Sequence, residues 1–250
     1  MPRQQGHRGK HPRDHELFAP KWVPLLREAV HDLSFLLTRR YAETAALKLV
    51  GDHYQLTTRH RRAVLRASCS DPSLEHRRGS EAAARDLWGE TVVIDGYNLL
   101  ITAESILSDG VLLRGRDGCV RDMASVHGSY RKVAETGPAL QLIGETLDTY
   151  APETVCWFFD KPVSNSGRLK TFMAGIAEEF GWGWDIRLIN KVDDTVSKTD
   201  AVAVSSDGWI LDRVRRWCNV TELLLKHAGA SSRVIDLGED ARAEPGGIPR

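Results

Sequence analysis

The chain has 250 residues, 42% of them hydrophobic and 27% charged, which excludes a fibrous repeat or a wholly disordered polymer and suffices for one large domain or two smaller ones. Its 34 basic and 34 acidic residues cancel, but unevenly: residues 1–90 hold 16 Lys and Arg against 11 Asp and Glu. A basic front and an acidic back suit a nucleic-acid-gripping module joined to a metal-binding one, although two modest surfaces segregate charge this way by chance as well.

Residues 1–18 are polar, basic and rich in His and Gly, and read as a disordered tail. A small all-helical domain is expected over residues 19–89. Trp22, Leu25, Leu26, Val30, Leu33, Leu36 and Leu37 recur at helical spacing. Ala45, Ala46, Leu47 and Leu49 mark a second helix that stops near Gly51. Thr57 or Thr58 caps a third, TTRHRRAVLRASC, and residues 73–89 form a fourth helix or a linker.

From residue 90 to 238 the pattern changes. TVVID reads as a strand, and Met123, Val126, Tyr130 and Val133 place a helix over Cys119–Val133. Helix ALQLIGETLDTY, strand TVCWFFD, helix GRLKTFMAGIAEEFG, strands WDIRLIN and AVAVSSD, helix GWILDRVRRWCNVTELLLKH and strand SRVIDL follow. This alternation predicts an α/β domain with a mostly parallel, Rossmann-like sheet and helices on both faces. Residues 239–250 carry no apolar pattern and read as a flexible tail.

Cys69, Cys119, Cys156 and Cys218 form no CxxC pair, which argues against structural zinc and a disulfide framework. The opening MPRQQGHRGKHPRDHE has no apolar stretch like a secretory signal, and no segment approaches the roughly 18 apolar residues of a membrane span. A cytoplasmic protein is the expectation.

Three strands end alike, each apolar run closing on a carboxylate: Asp95, Asp160 and Asp207. In an open parallel sheet ligands bind beyond the carboxyl ends of the strands. If the three strands are neighbours, the carboxylates share one edge, where two charges about 5 Å apart repel by roughly 3 kcal/mol at an effective dielectric near 20. Such a group takes up protons or a cation, and oxygen-only ligands favour Mg²⁺ or Mn²⁺ over zinc. Taken singly, each Asp is better explained as a turn or helix cap. The three together reverse that preference.

The residues IDGYN, at 94–98, resemble the start of PIN and NYN-type nuclease domains, and SSDGWIL resembles their closing strand. ALKLVGDHYQLTTRHRRAVLRASCSD, LLRGRDGCVRDMASVHGSYRKV and DKPVSNSGRL are similar to an uncharacterised prokaryotic family with a helical domain before a PIN-like one, over roughly residues 20–225. The PIN resemblance implies a metal-dependent ribonuclease, by analogy of fold. Carried over by position, Asp95, Asp160 and Asp207 are its metal-binding acids and Asn98 orients water or phosphate. An acid from a helix between the first two strands is implied as well: Asp122, with Asp117 and Glu145 as rivals. The acid expected before the last catalytic strand is Asp200, or else Asp194, and Asp212 either supports the site or pairs with Arg215 or Arg216.

Substrate contacts are expected from Arg114, Arg116 and Arg121, whose guanidinium forks suit phosphates. Ser164, Asn165, Ser166 and Arg168, where a helix opens after Asp160, make either an anion site or a plain cap. His127 is a candidate general acid or an ordinary packed His. Arg59, Arg61, Arg62 and Arg66 could track an RNA backbone or simply face solvent, and the helical domain is open to RNA, a protein partner or a second copy. Trp182 and Trp184 read as packing rather than base stacking. A catalytically inactive PIN-like scaffold is the main alternative. No Asp-x-Asp follows the first strand and no GxxxxGK[ST] occurs, which disfavours a haloacid-dehalogenase-type phosphatase and a P-loop NTPase.

Overall fold

The computed structural model describes residues 8–124, 128–230 and 234–238. Its first part is helical: α1 (Asp14–Leu17), α2 (Val23–Thr38), α3 (Glu43–His53), α4 (Thr58–Ala67) and α5 (Asp71–Ser80). Ser and Thr start the last two. The Thr57 hydroxyl accepts the His60 N–H at 3.2 Å, and the Ser70 hydroxyl accepts that of Ser73 at 3.2 Å. Gly51 does not end its helix. It lies inside α3, where a Cβ would stand 2.3 Å from the Arg61 guanidinium laid across that turn. The expected disorder does not extend to residue 18, because Asp14–Leu17 form α1 and Leu17 and Phe18 are buried in the helical core. Residues 1–7 and 239–250 lie outside the described residues.

The second part contains β1 (Thr91–Asp95), α6 (Gly96–Leu107), β2 (Leu112–Arg114), β3 (Val120–Asp122), α7 (Thr136–Asp148), β4 (Thr154–Asp160), α8 (Ser166–Phe180), β5 (Trp184–Ile189), α9 (Val192–Ser197), β6 (Val202–Val204), α10 (Gly208–Leu211), α11 (Val220–His227) and β7 (Val234–Asp236). β5, β4, β1 and β6 form one sheet in that order, all parallel. Period-two alternation splits its side chains. Val92, Ile94, Val155, Trp157 and Phe159 pack with α6, α7, α8 and α11, while Val93, Cys156 and Phe158 pack with α9 and α10. Helices thus cover both faces, as the alternating pattern requires.

Two expected helices are not continuous helices. Residues 112–122 fold as an antiparallel β-hairpin pairing Leu112 with Asp122 and Arg114 with Val120. Its turn carries Asp117-Gly118, with Gly118 at φ 80°, a conformation that glycine adopts without strain. Met123 joins the helical core and Tyr130 the main core, while Val126 lies outside the described residues. Residues 208–227 break between α10 and α11. There Ala203 donates to the Arg216 carbonyl at 3.0 Å and Cys218 donates to the Ala203 carbonyl at 2.9 Å, so irregular chain covers the open edge of β6. The last strand, β7, pairs in parallel with β2, outside the main sheet.

The helical part is not closed on itself. Leu113, Met123 and Leu237, from the small sheet β3-β2-β7, complete the core formed by Leu26, Val30, Leu33, Val50 and Val64. No helix among the described residues is long and apolar enough to cross a membrane.

Candidate functional site

Asp95 ends β1 and opens α6 with no intervening loop. That turn depends on Gly96, since a Cβ there would meet the Phe159 ring at 2.5 Å and the Phe158 carbonyl at 2.8 Å. Asp95 is only 8% exposed. Its Oδ2 accepts the Ser205 hydroxyl at 2.9 Å. Burial pushes the Asp95 carboxyl up to about 7; the Ser205 hydroxyl and the Asn98 N–H oppose this, and the charges of Asp193 and Asp207 add to it.

Ser205 and Ser206, just beyond β6, tie this edge together. The Ser205 oxygen accepts the Asp207 N–H at 3.0 Å. Asn98 Oδ1 accepts both the N–H and the hydroxyl of Ser206, at 2.8 and 3.0 Å. The carboxamide therefore braces α6 against β6, and its Nδ2 is the group left to meet a water or a phosphate oxygen. Asp207 is exposed, and its Oδ1 caps α10 by accepting the N–H of Trp209 at 2.8 Å. The cap and ligand explanations are thus compatible: one carboxylate oxygen caps and the second is available.

Asp160 ends β4. Because Asp95 stands opposite Phe158, Asp160 lies two residues further out along its strand. Its charge, after burial, helps raise the neighbouring Tyr97 phenol to about 12. Sequence reasoning missed Asp193, which opens α9 directly after β5. Partial burial raises its carboxyl, and the charges of Asp207 and Asp160 raise it further.

The other candidate acids have partners of their own. Asp194, one residue on, pairs with Lys198 at 2.7 Å. Asp200 is exposed and pairs with Arg215 at 2.9 Å. Asp212 pairs with Arg77, at 2.7 Å, and not with Arg215 or Arg216. Asp122 sits at the end of β3 rather than on a helix; it accepts Thr102 Oγ1 at 2.8 Å and the Ala124 N–H at 2.6 Å. It is a buried strut beside α6, and it lines the same cleft as Asn98, Ser206 and Asp207. Asp117 is buried between Arg77 and Arg121, and Glu145 on α7 accepts from Gln141 at 2.7 Å.

Pairing sets the edge acids apart from these. Among the described residues, Asp95, Asp160, Asp193 and Asp207 make no ion pair, whereas Asp14, Asp52, Glu104, Asp117, Asp212 and Glu222 each pair with arginine. A buried carboxylate without a cationic side chain, next to further carboxylates, an amide and hydroxyls, is a donor set that fits a hard cation such as Mg²⁺ or Mn²⁺. Among the described residues no three His, Cys, Asp or Glu side chains already stand close enough to hold a metal together.

Most of the expected substrate-contacting arginines have intramolecular partners. Arg121 is buried, grips Asp117 with both terminal nitrogens and donates Nε–H to the Ser206 carbonyl at 2.7 Å. Arg114 pairs with Glu222 and Asp236, and Arg116 with Asp71. Arg59 holds Asp14, Arg61 wraps onto α3, and Arg66 donates to the Asp122 and Ala124 carbonyls. Arg66 nevertheless lines a cleft of about 590 Å³ between the helical part and the sheet edge, facing Asn98, Ser206, Asp207 and Trp209. Trp182 and Trp184 stack at 5.0 Å where β5 begins, at the opposite end of the sheet. His127 lies outside the described residues. Ser164, Asn165, Ser166 and Arg168 occupy the segment after Asp160, with Ser164 bridged to Ser129.

The model of one family, described as a domain of unknown function (DUF5616), matches residues 84–223, and that of a second, a protein of unknown function (DUF434), matches residues 25–79. The chain is similar to the uncharacterized protein MJ0935 of Methanocaldococcus jannaschii, with 27% identity over 180 residues, covering 72% of this chain and 86% of the relative. No solved structure matches it. Since the first model spans more than half of the chain, including Asp95, Asn98, Asp160, Asp193 and Asp207, the protein belongs to the DUF5616 family.

Proposed function

We propose that this protein is a metal-dependent nuclease that hydrolyses phosphodiester bonds of single-stranded or structured RNA at the carboxyl edge of its parallel sheet. The observation carrying this reading is the unpaired acidic edge, with buried Asp95 at its floor and Asp160, Asp193 and Asp207 around it. Bound there, Mg²⁺ or Mn²⁺ would supply Lewis-acid polarisation of the phosphate and a nucleophile at neutral pH. Asp95, Asp160 and Asp207 would hold it, with Asp193 as the fourth acid. Asn98 and Ser205 hold the edge in shape through hydrogen bonds, which is what fixed ligand geometry requires. The cleft beside Asp207 would receive the strand, and exposed Trp209 would offer a ring for a base. A cytoplasmic location accords with this reading.

A second reading, an inactive RNA- or protein-binding scaffold, is favoured by one observation: one oxygen of Asp207 is already used as a helix cap. Incubation of the purified chain with end-labelled RNA separates the two. Cleavage that requires Mn²⁺, stops in EDTA and is abolished in a folded Asp95→Asn variant supports the nuclease. A variant that keeps full Mn²⁺-dependent activity refutes the assignment.

A further inference from the structure

Beyond the acidic edge, on the segment that follows Asp160, lies a second concavity of about 420 Å³. Its rim carries Arg131, Lys132 and Arg168, and its floor is built from Tyr130, Leu169 and the half-buried ring of Phe172. None of the three cations makes an ion pair among the described residues, in contrast to Arg59, Arg77, Arg114 and Arg121. Lys132 Nζ stands 3.9 Å from the centre of the Phe172 ring, so a charge and an aromatic face already share the pocket.

The framework is held firmly. Asn165 Nδ2 donates to the Tyr130 carbonyl at 3.0 Å, and Tyr130 N–H donates to the Ser164 carbonyl at 3.2 Å. The Tyr130 hydroxyl donates to buried Glu104 at 2.5 Å. Glu104 also receives Arg8 at 2.6 Å, and Arg8 in turn reaches the Arg131 carbonyl at 2.7 Å. This knot fixes the backbone of residues 130 and 131 against α6. The opening turn of α8 adds to the site, since no side chain caps it and nothing lies within 4 Å of the Cβ position of Gly167.

We infer that this pocket binds the phosphorylated end of a single-stranded RNA, taking a terminal phosphate monoester on Arg131, Lys132 and Arg168 and the adjoining base on Phe172. Charge selects the monoester: near neutral pH it carries close to two negative charges, where each internal diester carries one, and three unpaired cations match the richer anion better. The apolar floor selects a nucleotide over a bare phosphate ion. Asn165, at one side of the pocket, is five residues along the chain from Asp160, and an end held there would bear on which phosphodiester reaches the acidic edge. In that respect the inference rests on the nuclease reading, while the binding itself does not.

The test is a titration of the full chain in EDTA with three versions of one fluorescent single-stranded RNA: 5′-phosphorylated, 3′-phosphorylated, and with hydroxyls at both ends. One phosphorylated form should bind about tenfold more tightly than the hydroxyl form, and the Lys132→Gln/Arg168→Gln double variant should abolish that preference. Arg168 and Lys132 are exposed, so circular dichroism should report an unchanged fold. Equal affinity for the three RNAs, or a preference that survives the double variant, overturns the inference. Competition by inorganic phosphate as effective as that by a nucleoside monophosphate overturns the part assigned to Phe172. Because no metal is present, none of these outcomes bears on Mn²⁺-dependent cleavage, and loss of that cleavage would leave the preference for a phosphorylated end intact.

Discussion

Ser205 links Asp95 to Asp207: its hydroxyl donates to Asp95 Oδ2 at 2.9 Å while its oxygen accepts the Asp207 N–H at 3.0 Å. One small side chain thus sets the spacing between the floor and the rim of the acidic edge. Ser205→Ala should lower Mn²⁺-dependent cleavage by roughly ten- to a hundredfold, the usual cost of removing a group that orients a ligand. The variant should lose only about 1 kcal/mol of stability by urea denaturation. Activity equal to wild type would show that this spacing does not matter.

Asp95 predicts a pH dependence. With burial raising its carboxyl from 3.8 to about 7, the folded protein keeps a proton that the unfolded chain has already released. Between about pH 4 and 7 the folded state binds more protons, so stability falls as pH rises; the loss amounts to at most about 4 kcal/mol and is complete above the folded value. In EDTA, thermal melting should drop by roughly 10 °C over that window, and Asp95→Asn should flatten the decline. Mn²⁺ competes with the proton, so it should raise the melting temperature more at pH 8 than at pH 5. A wild-type profile parallel to that of Asp95→Asn would contradict the assignment.

Trp209 is 45% exposed beside Asp207, with the Arg213 guanidinium 4.1 Å from its ring centre. Trp209→Ala should weaken single-stranded RNA binding about tenfold, the scale of one lost base–aromatic stack. Duplex binding and the melting temperature should stay unchanged. Filter binding with both substrates checks this, and equal weakening of the two would argue against stacking.

Asp117 is the buried partner of two guanidiniums, Arg77 and Arg121, each at 2.6 Å. Burial works against its charge, but Arg121 and Arg77 overcome this and hold the carboxyl well below the usual range. Asp117→Asn leaves buried Arg121 without a carboxylate and Arg77 with Asp212 alone, and should cost about 3–5 kcal/mol. Chemical denaturation measures it, and a loss below about 1 kcal/mol would mean that the arginines find other partners.

The sheet and its acids were legible because buried parallel strands read as short apolar runs, and Val92–Ile94, Val155–Phe159 and Val202–Val204 are such runs. The hairpin was not. Arg121 and Asp117 look like a solvated helix face in sequence, but they are buried against each other and Arg77, a pairing that only the fold creates. The Asp117-Gly118 turn was the available signal. Asp193 was missed for another reason: adjacent residues on a helix point about 100° apart, and no composition rule distinguishes Asp193, which feels Asp207 and Asp160, from Asp194, which pairs with Lys198. The helix expected over residues 208–227 hid a break, because residues 216–218 bond to the backbone of β6, which side-chain periodicity does not report.

Arg77 belongs to the segment matching one family model, while Asp117, Asp212 and Gly208, all of which it contacts, belong to the segment matching the other. A fragment beginning at residue 84 would lose that arginine from directly behind the Asp207 turn and would bare Leu113, Met123 and Leu237 to water. The two matched regions thus share a core and a buried set of charges, and expressing the second alone removes side chains that pack behind the Asp207 turn.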